Sequence, residues 1–277
     1  MHLTREHIDA YCLSLLADER SAGTISKYRR DLTAFARWLD GRAVTKESAT
    51  AWKACLLNRD YAPRTVNSML AAVNGFCRFA GLPIKLKFLS IQRQIFRDSA
   101  KELSKAEYDR LLAAARESGQ ERLALIMETL CATGIRVSEL RYITVEAALA
   151  GRATITLKGK IRTILLPAKL CRKLVKYARK QKTASGEIFL TKSGRPITRR
   201  QVWYELKRLC RAAGVEPTKV FPHNLRHLFA TTFYRASRDI VRLADMLGHS
   251  SIDTTRIYLT VSGAEQQRQL DRLGLVS

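Results

Sequence analysis

Arg136, His223, Arg226, His249 and Tyr258 are the side chains of this 277-residue sequence whose types and spacing could do chemistry together. His223 and Arg226 stand three apart behind Pro222, a residue suited to a helix start. Both can therefore project from one face of a first turn, where one phosphate meets both. Arg136 follows Thr133-Gly134, a break that lets a helix begin near Val137 and Ser138, beside a positive helix end that favours an anion. Arginine suits that anion because its planar fork donates two parallel hydrogen bonds and stays charged at any working pH. One well-placed donor is worth about 3 to 4 kcal/mol when charge builds on a transition state. Histidine, with a reference pKa of about 6.5, accepts and returns protons near neutrality. A tyrosine hydroxyl, at about 10, attacks effectively only beside cations or a base. Residue types of this kind can bind a phosphate and move protons around it, and no acidic cluster in the sequence suggests metal coordination. Singly, each residue has a plainer use. An arginine here is a solvated charge, Glu139 a first-turn helix acid, His249 after Gly248 a cap, His227 a packing residue, and most of the nine tyrosines are core.

The charge balance points to the partner such a set needs. Lys and Arg number 49 against 25 Asp and Glu, so the chain carries +24 and attracts polyanions, nucleic acid ahead of an anionic membrane surface. Charge alone does not separate DNA from RNA. A hydrophobic fraction of 46% argues against a disordered or collagenous chain, and the length allows two modest domains, each with its own core. The six cysteines are far apart with no C-x-x-C pair, which excludes the usual zinc and redox motifs and suits a reducing cytosol. The start lacks a signal-peptide pattern and no apolar run is long enough for a membrane span, so the expected compartment is cytoplasmic, or wherever the DNA is held.

The elements that must position these residues are mainly helical. Helical spacing over Ile8 to Leu16, Ile25 to Leu39, Ala49 to Leu57 and Val66 to Phe79 predicts a four-helix first domain, residues 1–92. In its second helix Lys27 and Arg30 flank an apolar stripe and could touch phosphates. Periodicity weakens from Leu82 to Leu103, where Lys85, Lys87 and Arg93 meet little opposing acid. Residues 93–102 are the expected basic linker, able to lie along a duplex. Ser104 and Glu107 form a capping-box pattern that opens a second domain, 103–277. Within it, Ala153 to Leu157 and Arg162 to Leu166 flank Lys158-Gly159-Lys160 as a β-hairpin. Helices are expected over Leu112, Leu123 to Leu130, Leu170 to Tyr177, Val202 to Leu209, Leu225 to Phe233, Ile240 to Leu247 and Leu270 to Leu273. There is no internal repeat.

Four segments, in this order and spacing, resemble the tyrosine recombinase family of phage integrases and Xer-type recombinases. They are Ala132-Thr-Gly-Ile-Arg136-Val-Ser-Glu139-Leu, Leu157-Lys158-Gly-Lys160, Pro222-His223-Asn-Leu-Arg226-His227, and Leu247-Gly-His249 with Thr254-Thr-Arg-Ile-Tyr258. The resemblance is strongest from about Leu103 to Leu259. It implies a helical core-binding domain joined to a mainly helical catalytic domain with a small β-hairpin, the two clamping double-stranded DNA. It implies Tyr258 as nucleophile, Arg136 and Arg226 as phosphate clamp, His223 in proton transfer, His249 on the scissile phosphate and Glu139 in support. Lys158, or its rival Lys160, protonates the leaving 5′-oxygen, and Lys160 otherwise joins the DNA contacts. The product is a 3′-phosphotyrosyl intermediate, with no cofactor and no ATP. It further implies recombination in a homotetramer on two DNA sites, open to an accessory DNA-bending or excision factor, with the tail from Ser262 to Leu275 either docking on a neighbour or packing on its own domain. Leu259-Thr260, where Xer-like members often carry Thr-His, favours integration or excision of a mobile element over Xer-type dimer resolution. The alternatives are a type IB topoisomerase, a noncatalytic DNA binder and a metal nuclease built on His223, His227 and His249.

Overall fold

Thr4, Ser21 and Thr45 open the first three helices for one reason. Each sits in extended backbone, and its hydroxyl accepts from the amide three residues on, at His7, Thr24 and Ser48. The helices that follow are α1 (Arg5–Ala17), α2 (Ala22–Leu39) and α3 (Lys46–Asn58). α4 (Pro63–Phe79) starts on a proline, whose fixed φ suits a first turn. The computed structural model describes residues 1–92, 99–157, 160–191, 193–258, 267–268 and 271–273. Its chain divides into two units, Met1–Arg93 and Gln94–Ser277.

The core of the first unit is built from the apolar stripes of its four helices, with Leu32, Phe35, Leu70 and Phe76 fully buried and Phe35 packed on Trp52 at 4.7 Å. The stretch after α4, where helical periodicity fades, is extended but remains part of this unit. Asn74 accepts from the Leu86 amide at 2.7 Å and donates to its carbonyl at 2.9 Å, and Asn67 does the same for Leu89. Two asparagine side chains thus satisfy backbone that has no sheet to join, and Leu86 enters the core.

In the second unit the Ser104–Glu107 capping box is present and opens α5 (Lys105–Glu117). α6 (Glu121–Thr133) follows, then a 3₁₀ helix over Val137–Tyr142 and α7 (Val145–Ala150). β1 (Arg152–Leu157) and β2 (Lys160–Leu165) pair antiparallel, with Ala153 opposite Ile164, Ile155 opposite Arg162 and Leu157 opposite Lys160. One face of this hairpin is inward, through Ala153, Ile155 and Ile164, while Ile161 and Leu165 are exposed on the other. The Tyr142 hydroxyl donates to the Thr156 carbonyl and fastens the hairpin to the 3₁₀ helix. α8 (Ala168–Lys180), α9 (Arg199–Ala213), α10 (Pro222–Ser237), α11 (Ile240–Leu247), α12 (Ile252–Thr255) and a 3₁₀ turn over Arg256–Tyr258 follow in the unit. The buried face of α10 packs into the main core through Leu225 and forms a smaller cluster of Phe229 and Ala230 with Leu243, Leu247 and Tyr258. Among the described residues no helix is long and apolar enough to cross a membrane. The helix expected over Leu270 to Leu273 falls on a tail of which only 267–268 and 271–273 are described.

Candidate active site

Gly134 ends α6 in the left-handed conformation, at φ 64°, and a β-carbon there would lie 2.3 Å from the Phe229 ring of α10. The turn therefore needs glycine twice over, for its backbone and for the close approach of α10. It hands the chain to buried Ile135 and then to Arg136, which caps the 3₁₀ helix with its side chain exposed. Glu139, almost fully buried, accepts from the Arg136 amide at 2.7 Å, from the Arg136 guanidinium at 3.1 Å and from Arg162 of β2 at 2.8 Å. Glu139 thus contacts Arg136 and a second arginine, Arg162, that the sequence does not single out.

Arg226 is buried on α10, and its side-chain hydrogen bonds go to distant parts of the chain. Its Nη1 donates to the Gly134 carbonyl at 2.6 Å, and its Nη2 lies 2.8 Å from the Leu247 carbonyl and 3.0 Å from His249 Nε2. A guanidinium can only donate, so His249 Nε2 accepts and Nδ1 carries the proton toward Thr255 Oγ1, 2.9 Å away. Burial and the nearby Arg136 charge lower the Arg226 pKa to about 10, which still leaves it charged at neutrality. Burial, then the charges of Arg226, Arg136 and Arg162, push His249 down to about 4. His223 reaches solvent yet is crowded by neighbours. Desolvation, followed by Arg226, Arg136 and Arg199, lowers its pKa below the usual value, so it is neutral at pH 7 and able to accept a proton.

Tyr258 is buried, its ring parallel to His249 at 6.2 Å and edge-on to His227 at 4.9 Å. It is close enough to Arg226 to act on that arginine's pKa. His227, read from the sequence as a packing residue, does pack, but against Tyr258 and within 3.7 Å of Glu102. Nothing in a one-dimensional pattern signals that contact, because Tyr258 lies 31 positions further on. The structure thus brings Arg136, Glu139, Arg226, His249 and Tyr258 around one spot, with His223 on the same α10 turn as Arg226. Lys158 lies outside the described residues, as do Arg93 and the side chain of Lys160. Among the surface cations, Lys27 and Arg30 both pair with the buried carboxylate of Asp31, while Lys85 and Lys87 are exposed. Among the described residues no three His, Cys, Asp or Glu side chains gather as around a metal ion.

Residues 101–265 match the phage integrase family, and residues 8–81 match the phage integrase N-terminal SAM-like domain. The tyrosine recombinase XerC of Roseiflexus castenholzii is 33% identical over 91% of this chain and 88% of its own length. The tyrosine recombinase XerA of Pyrococcus furiosus is 29% identical over 99% and 96%. In fold, the chain resembles a lambda integrase (75–356) dimer bound to a COC′ core site, with a TM-score of 0.73, 18% identity and 92% and 94% coverage. It also resembles the Tn1549 transposon integrase in complex with circular intermediate DNA, at 0.74, 15%, 96% and 99%.

Proposed function

The chain belongs to the phage integrase family of tyrosine recombinases, enzymes that break and rejoin DNA, and from that membership we propose the part each residue plays. Arg136 and Arg226 clamp the nonbridging oxygens of the scissile phosphate, where their charge stabilises the crowded transition state. The Tyr258 hydroxyl attacks phosphorus while neutral His223 takes its proton. The 5′-oxygen leaves with a proton from Lys158 or Lys160, and the 3′-phosphate stays on Tyr258. The new ester keeps the energy of the old one, so a 5′-hydroxyl from another strand reverses the step without ATP. His249 donates to the same phosphate. Because its Nε2 accepts from Arg226 in the free protein, that ring must gain a proton or turn over when DNA binds. An arriving phosphate favours the gain by offsetting the guanidiniums that hold its pKa down.

The observation that carries this assignment is the convergence of two distant segments on one buried guanidinium: Gly134 at the end of α6, and Leu247 with His249 at the end of α11, on Arg226. The first domain, 1–92, serves as core-binding domain, and residues 93–102 link it to the catalytic domain, 103–277. Lys27, Arg30, Lys85, Lys87, Arg93 and Lys160 reach phosphates. The working form is a homotetramer on two duplex sites in the cytoplasm, with an accessory bending or excision factor where direction must be chosen. The biological outcome is integration or excision of a mobile element. The Xer names of its full-length relatives support a second reading, resolution of chromosome or plasmid dimers. A supercoiled plasmid carrying two copies of a duplex site selected by the protein from a random pool tests the function. Recombinant circles are expected, whereas a ladder of relaxed topoisomers without exchange would point to a topoisomerase.

A further inference from the structure

We propose that Arg162 is a positioning residue that holds the Glu139 carboxylate and so keeps the charge of Arg136 available to the phosphate, an inference that rests on the site assignment above. Arg162 lies opposite Ile155 on the face of the hairpin that carries buried Ala153 and Ile164, a face where a lone charge is costly. Both terminal nitrogens of its fork are engaged there. Nη2 donates to Glu139 Oε2 at 2.8 Å, and Nη1 donates to the Met246 carbonyl at the end of α11 at 3.1 Å. Gly248, with φ +64°, makes room for it, since a β-carbon there would sit 2.2 Å from Nη1. Three elements of unit two are thereby tied together: β2, the 3₁₀ helix behind Arg136, and the end of α11 that leads to His249.

The electrostatic consequence is specific. Glu139 is a buried carboxylate, 2% exposed, with two guanidinium partners, one of which is exposed Arg136. Without Arg162, the buried Glu139 carboxylate would be left to Arg136 among the described residues, drawing that guanidinium inward and cancelling its charge. With Arg162 shared, Arg136, Arg162 and Arg226 outweigh Glu139 and the site remains strongly positive. Arg162 also contributes to the low pKa of His249, so its charge reaches the far side of the site.

The test is single-turnover formation of the covalent protein–DNA adduct on a nicked duplex selected by the protein from a random pool, alongside DNA affinity and thermal stability. R162Q is expected to lower the adduct rate about 10²-fold, as a small misplacement of a reacting group does, with affinity little changed. In an E139Q background, where no carboxylate competes for Arg136, the same change is expected to cost only a few-fold. R162K keeps the charge but not the fork, and is expected to fold and to fall between R162Q and wild type. It decides the matter if R162Q is unstable. Wild-type rates in R162Q, or in R162K should R162Q not fold, would overturn the proposal, as would an undiminished loss in the E139Q background. Failure of the wild-type protein to form an adduct would instead remove the site assignment itself, and this inference with it.

Discussion

At the site one arginine is exposed and the other buried, and under the phosphate-binding roles proposed for both, that difference predicts different mutants. Arg226 is enclosed and forks to two carbonyls and a histidine, so Arg226→Lys leaves acceptors without donors and should lower both stability and cleavage. Arg136 is exposed, so Arg136→Lys should fold normally and lose about 10² to 10³ in cleavage rate, read by single-turnover kinetics. The histidines predict a pH dependence of stability. His249 titrates near 6.5 when unfolded and at about 4 when folded, so between those values the unfolded chain binds the extra proton. Stability should be full above pH 6.5, fall as pH drops through that window and level off below it. His223, also lowered, adds in the same direction. Chemical denaturation across pH 4 to 7 should show a shallower decline in His249→Asn than in wild type.

The helices and turns that place these side chains were legible in the sequence to different degrees. The four helices of the first unit followed from their apolar periodicity, and Ser104 with Glu107 marked the start of α5 because a capping box is a local code. The hairpin followed from two β-rich runs around a glycine-containing turn. Contacts set by tertiary packing were not legible. Arg162 looks like any strand-edge cation until its register places it on the inward face over Glu139, and His227 looks like core until Tyr258 is folded against it. The extended run to Leu89 shows no periodicity in the sequence because it is held to the first unit by side-chain amides at Asn67 and Asn74, which leave no periodic signal. Gly134 and Gly248 show how tightly the turns are drawn. Both have positive φ, and a β-carbon would meet Phe229 in one case and Arg162 in the other. Gly134→Ala is expected to cost about 1 to 3 kcal/mol in equilibrium unfolding, through backbone strain and the displaced Phe229 ring. Gly248→Ala should cost a comparable amount and also lower cleavage, because it displaces Arg162.

For the whole molecule, the excess of 49 basic over 25 acidic residues sets how it meets DNA. Binding should be dominated by phosphate contacts and counterion release, with affinity dropping about 10³-fold or more as salt rises from about 50 to 200 mM. A slope near zero in a salt titration would contradict that picture. Each unit has its own main core, and the residues proposed to cut DNA all belong to the second. The central claim is that this second unit cuts DNA by making Tyr258 a covalent link. It is tested most directly by trapping the protein on a nicked, self-selected duplex in excess EDTA and mapping the modified peptide. A denaturation-resistant adduct on Tyr258, absent in Tyr258→Phe, is the expected result. An adduct on another residue, or one that persists in Tyr258→Phe, would contradict it.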